Sequence, residues 1–122
     1  MKKNMLCPVC EKHIFVMEND FDICDVCGWE NDGVQGADFN YRGGANSLSV
    51  NDCKIIYKIS LLNDFSDKLS ALEQEYRNKN KDIHTKYLNI DWRIDGEKIR
   101  HELSNAVDEY MEKIYELYRL IK

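Results

Sequence analysis

Cys7-Pro8-Val9-Cys10 and Cys24-Asp25-Val26-Cys27 are the two stretches that decide how this chain folds. Two Cys-x-x-Cys pairs separated by thirteen residues read as the halves of one four-thiolate metal site. A tetrahedral zinc ion takes four such donors at about 2.3 Å, and a two-residue spacer lets one tight turn aim both sulfurs inward. Pro8 lowers the entropy lost in forming the first turn. Gly28, directly after the second pair, can adopt the positive φ that closes such a turn.

Three other readings of these cysteines compete with a metal site. Structural disulfides belong to secreted chains, and Met1 to Leu6 runs straight into Cys7 without the apolar core of an export signal. A thioredoxin-type redox site uses a single Cys-x-x-Cys in a βαβ setting, whereas this chain has two close together. A rubredoxin-like iron cage uses similar spacing, so the sequence favours zinc but does not separate the two metals. With four thiolates in place the sphere is closed, which makes the metal structural and His13 a surface residue. Cys53, the fifth cysteine, falls in a helical pattern and reads as a small buried apolar side chain.

The 122 residues are enough for one domain, or for a small metal module with a second region attached. No segment approaches the roughly 20 continuous apolar residues that span a bilayer. A reducing, cytoplasmic setting without membrane contact is therefore expected. Charge is distributed unevenly. Residues 1–53 carry four Lys or Arg against nine Asp or Glu, while residues 54–122 are balanced at thirteen of each. Between His13 and Tyr41 there is no Lys or Arg at all. Such a surface repels phosphate and attracts cations.

Outward from the cysteines, His13 to Met17 is rich in β-branched and aromatic residues and predicts a strand. Glu18-Asn19-Asp20 predicts a turn, and Phe21-Asp22-Ile23 a return strand pairing with it. Five of the six glycines fall between Gly28 and Gly44, in a loop expected to wrap the metal module. That loop lacks the Gly-Lys-Ser or Gly-Lys-Thr ending of a phosphate-binding loop. Ser49 is a good N-cap for a helix carrying Val50, Cys53, Ile56, Tyr57 and Leu61. Phe65 to Leu88 predicts a second helix, and Asn89 to Ile94 a connector with Trp92 anchored in the core. Asp95 is expected to cap a last helix whose apolar stripe runs from Ile99 to Ile121.

The expected fold class is α+β: a small four-cysteine zinc ribbon or knuckle with a short β-hairpin, followed by an α-helical hairpin. Residues 1–48 form the metal module and glycine-rich loop, and residues 49–122 a helical region packed on it as one compact unit.

Residues Cys7 to Cys10, Cys24 to Gly36 with its Trp29-Glu30-Asn31-Asp32-Gly33 run, and Gly43 to Ser49 with its Gly-Gly-Ala-Asn start resemble the bacterial CPCC cysteine-rich domain. The resemblance covers roughly residues 7 to 57. It departs at Val9, where the family name calls for cysteine, and at Glu11, where glycine is usual. Members of that family resemble small non-catalytic proteins, and some lie beside toxin genes in contact-dependent inhibition loci, which implies an immunity role for some of them.

No catalytic constellation is legible: the three histidines, His13, His84 and His101, lie far apart, and neither a Gly-x-Ser-x-Gly elbow nor a His-Glu-x-x-His pair occurs. Glu18, Asp20, Phe21, Asp22, Trp29, Glu30, Asp32 and Asp38 are the candidate partner-binding residues, offering acidic charge with apolar anchors. The expected partner is a basic protein such as a nuclease toxin domain. The alternative is a zinc-ribbon nucleic-acid-binding or regulatory protein using Arg77, Lys79, Lys81, His84 and Lys86.

Overall fold

Strands in this chain are short because each serves only to flank a tight turn. In the computed structural model, which describes residues 5–17 and 20–121, β1 (Met5–Leu6) pairs antiparallel with β2 (Ile14–Phe15). Met5 lies opposite Phe15 and Leu6 opposite Ile14, with the first cysteine pair in the loop between them. This corrects the strand pairing read from sequence. Phe21 to Ile23 pairs with Glu30 and Asn31 instead, through Phe21 N–H to Asn31 O at 3.0 Å and Asn31 N–H to Asp22 O at 2.8 Å. The physical reason is that each Cys-x-x-Cys turn itself reverses the chain. The nearest antiparallel neighbour of each segment is thus the one across its own turn. Glu18 and Asn19 of the expected turn lie outside the described residues.

The chain divides into two compact units, one ending at Leu61 and the other beginning at Leu62. In the first, Cys7, Val9, Cys10, Phe15, Cys24, Trp29 and Val50 form a buried cluster, with Cys27, Cys53 and Tyr57 packed against it. Two of these, Val50 and Cys53, and also Tyr57, come from α2 (Val50–Ser60), so this helix belongs with the cysteine module. Its start is fixed as the sequence implies. Ser49 accepts from Asp52 N–H at 3.1 Å and Asp52 accepts from Ser49 N–H at 3.1 Å, a reciprocal capping box. Asp52 is buried and also takes Arg42 in a two-pronged ion pair, Nε to Oδ2 at 2.6 Å and a second guanidinium nitrogen to Oδ1 at 3.1 Å.

The glycine-rich segment is closed by side-chain amides rather than by a sheet. Asp32 caps the short helix α1 (Gly33–Ala37), accepting from Val34 N–H at 2.8 Å, and its other oxygen accepts from Ala45 N–H at 2.9 Å. Gln35 is fully buried. Its Nε2 donates to the carbonyls of Tyr41, Asn46 and Leu48 at 3.0–3.1 Å, and its Oε1 accepts from the backbone and side-chain N–H of Asn46 at 3.0 Å. Asn46 in turn pairs with both Glu30 N–H and Glu30 O, at 3.0 and 2.9 Å, as a neighbouring strand would. Gly44 is required by this closure: a Cβ there would run into Asp32 Oδ2 and lie 2.9 Å from Gln35 Cδ.

In the second unit, a single 3-10 turn (Asn63–Phe65) leads into α3 (Ser66–Lys86), which packs against α4 (Trp92–Arg119). The pair is antiparallel: as its partners on α3 advance from Glu75 to Lys79 to Lys86, those on α4 retreat from Lys113 to Glu109 to Glu102. Tyr76 and Tyr110 stack between the helices with centroids 4.5 Å apart. α4 buries Ile99, Ala106, Val107, Tyr110, Met111, Ile114 and Leu117, most of the stripe expected for it. Two details differ from the sequence reading. Asp91, accepting from Arg93 N–H at 2.9 Å, caps α4 in place of Asp95, and Trp92 is 54% exposed rather than anchored in the core. Asp91 wins because its side chain reaches the first free amides, which leaves Trp92 in the first turn. No helix among the described residues is long and apolar enough to cross a membrane.

Candidate metal centre

The two turns bring Cys7, Cys10, Cys24 and Cys27 together, their sulfurs all within 4.8 Å of one another. Cys7 Sγ lies 3.6 Å from Cys27 Sγ, and Cys10 Sγ 3.5 Å from Cys24 Sγ. A tetrahedron with bonds of about 2.3 Å has edges of about 3.8 Å. A disulfide would need about 2.05 Å. The spacing thus fits four ligands around one ion, and all five cysteines are free thiols. Cys7, Cys10 and Cys24 are buried and Cys27 is partly exposed.

The two halves of the site repeat one backbone pattern. Cys7 N–H donates to His13 O at 2.8 Å and Glu11 N–H to Cys7 O at 2.9 Å; Cys24 N–H donates to Trp29 O at 2.8 Å and Gly28 N–H to Cys24 O at 2.9 Å. In both, the residue after the second cysteine is left-handed, with φ of +59° at Glu11 and +82° at Gly28. Glycine is at ease there and glutamate is not, since the left-handed region costs an L residue roughly 1–2 kcal/mol. Glu11→Gly is expected to raise stability by about 0.5–1 kcal/mol, part of the relief being offset by the freer unfolded chain. Gly28→Ala, where a Cβ meets nothing within 4 Å and strain acts alone, is expected to lower it by about 1 kcal/mol. Urea titration followed through Trp29, which is 3% exposed, checks both.

Burial and hydrogen bonding act in opposite directions on the clustered thiols. Burial pushes the thiols of Cys7 and Cys27 up, so desolvation favours their neutral form. At Cys10 burial pushes the same way, but hydrogen bonds from the Lys12 backbone, Cys24 and the His13 backbone outweigh it and the thiol is lowered. The Val26 and Cys27 N–H groups donate to Cys24 Sγ, both at 3.4 Å. A divalent ion held here would cancel two of the four thiolate charges that desolvation opposes. Cys53, raised to about 12 by burial, is not among the clustered donors. Nor is His13, which packs edge-on against Phe15 at 4.9 Å and is only 21% exposed in its side chain. Val9 is 6% exposed and part of the core, so the four-ligand set is complete without a cysteine at that position.

Residues 5–60 match the family described as Cysteine-rich CPCC. The CPCC match closes at the last residue of α2, one residue before the end of the first unit, and leaves the α3–α4 hairpin outside it. Comparison with curated proteins returned no match.

The eight candidate partner-binding residues separate into distinct groups. Phe21, Asp22 and Asp38 are exposed, and Asp20 and Glu30 are half-buried. Trp29 and Asp32 are buried, at 3% and 7% exposure, and their expected place on the binding surface is corrected. Trp29 fills the core beside the thiols and Asp32 ties α1 to Ala45, whose N–H holds the Asp32 carboxyl below the usual carboxylate range. Glu18 lies outside the described residues. Asn31, Gln35, Arg42 and Asn46, none of them singled out by the sequence reading, hold the glycine-rich loop and its flanks.

Proposed function

We propose that this chain is a non-catalytic, zinc-stabilised protein-binding protein of the immunity or antitoxin type, acting in the cytoplasm by stoichiometric binding of a basic toxin domain such as a nuclease. Zinc is the ion that the four-thiolate set suits, and a four-cysteine site offers no open position for substrate or water. The observation that carries the binding reading is charge: the CPCC region places Asp22, Asp25 and Asp38 at the surface, with no Lys or Arg between His13 and Tyr41. The resemblance to the CPCC domain, some members of which lie beside toxin genes, supports the same reading.

Nucleic-acid binding is the weaker alternative because two residues of the basic run on α3 are already engaged. Lys79 pairs with Glu109 and Lys86 with Glu102 at 3.0 Å. Co-expression with the protein encoded beside it tests the proposal. The expected result is a neighbour that arrests growth alone, normal growth of the pair, and co-elution in a one-to-one complex. A harmless neighbour that does not co-elute contradicts it.

A further inference from the structure

Phe21 has φ of +57°, a backbone conformation that aromatic residues rarely adopt. Its surroundings hold it there. Phe21 N–H donates to Asn31 O at 3.0 Å, and Asn31, 4% exposed, donates its Nδ2 to both Asp20 Oδ1 and Met17 O at 2.8 Å. Asp20 Oδ1 accepts a second bond from Asp22 N–H at 3.0 Å. Strain of this kind is ordinarily offset by burying the ring, yet the Phe21 side chain is 51% exposed. Ile23, two residues on, is 55% exposed. Acidic residues alternate with this apolar pair along the chain: Asp22 and Asp25 are exposed, and the hydrogen bonds to Asp20 from Asp22 and Asn31 keep its carboxyl below the usual range.

We infer that Phe21, with Ile23, is the apolar anchor of a docking surface for a basic polypeptide segment that carries a bulky apolar side chain among its cations. The inference rests on the protein-binding reading above and names the surface and the chemistry of its partner. Charge complementarity selects the occupant: Asp22 and Asp25 attract Lys or Arg, and the same carboxylates repel phosphate, so nucleic acid and anionic lipid are disfavoured. Because the Phe21 backbone is already held by Asn31, little main-chain freedom is lost when the ring is engaged, which favours it as an anchor.

The test presents a displayed library of random dodecapeptides to the full metal-loaded chain, then compares binding of the enriched peptides to the wild type and to Phe21→Gly. Glycine adopts φ of +57° without strain, so the variant removes the ring and relieves the backbone together. Enriched peptides are expected to combine Lys or Arg with a bulky apolar residue. They are expected to bind Phe21→Gly about tenfold or more weakly, while the variant keeps its metal and a cooperative unfolding transition. Basic peptides that bind Phe21→Gly undiminished would overturn the anchor and leave the protein-binding reading standing. A library that yields no basic peptide would overturn both. Loss of metal and of cooperative unfolding in Phe21→Gly would assign the ring a structural role and overturn the anchor.

Discussion

Cys24→Ser is expected to abolish metal retention and unfold the cysteine module, the largest effect of any single substitution in this chain. Cys24 Sγ lies in the buried half of the cluster, 3.5 Å from Cys10 Sγ, and accepts two backbone N–H bonds. A hydroxyl does not replace a thiolate toward a soft ion. Structural zinc contributes on the order of 10 kcal/mol to the folding of small modules. Two two-residue strands and a small core cannot replace that. Two measurements check the outcome: metal per chain by mass spectrometry under native conditions, and the emission of Trp29, which packs in the same cluster as the thiols. Loss of metal with a red shift of Trp29 emission is expected. A variant that keeps its metal and the wild-type emission would remove Cys24 from the cage.

Gln35→Leu is expected to destabilise the first unit by about 4 kcal/mol, although the two side chains are close in size. The fully buried amide serves three carbonyls, those of Tyr41, Asn46 and Leu48, and accepts from two N–H groups of Asn46. Leucine removes the partner of each. A buried polar group left unsatisfied costs about 1–3 kcal/mol, and some of these groups will recover part of that from water. Denaturant unfolding followed by Trp29 emission measures the loss. Gln35→Glu serves as control, since it keeps the acceptor and loses the donors. A change below about 1 kcal/mol for Gln35→Leu would mean that the loop is closed by something other than the Gln35 amide.

The elements that were legible in the sequence are those whose cause is local. Ser49 and Asp52 form a capping box because their spacing places each side chain at the other's amide, whatever the rest of the chain does. The stripe from Ile99 to Leu117 predicts α4 for the same reason, and the two Cys-x-x-Cys spacings predict the cluster of sulfurs. Residues 77–81 are polar enough to lower helix propensity, but α3 runs through them, with Lys79 held by Glu109 of α4. Strand pairing was misread because Phe21 to Ile23 alternates as any strand does, and alternation does not name a partner. Only the reversal at the second knuckle, which places Asn31 beside Phe21, makes that choice. Trp29 and Asp32 look like surface residues in an acidic stretch, and long-range packing on the thiols and on Ala45 buries them. Gln35 illustrates the limit most clearly. Nothing in its immediate neighbours indicates that three carbonyls up to thirteen residues away converge on it.

The most direct test of the central claim, a structural metal held by four cysteines, is a chelator titration of the purified full chain that follows metal release, thiol reactivity and Trp29 emission together. One metal ion per chain is expected. Its release should expose four additional reactive thiols in step with a red shift of Trp29. A chain that purifies without bound metal, or one that surrenders its metal while Trp29 emission and thiol reactivity stay unchanged, would contradict the account.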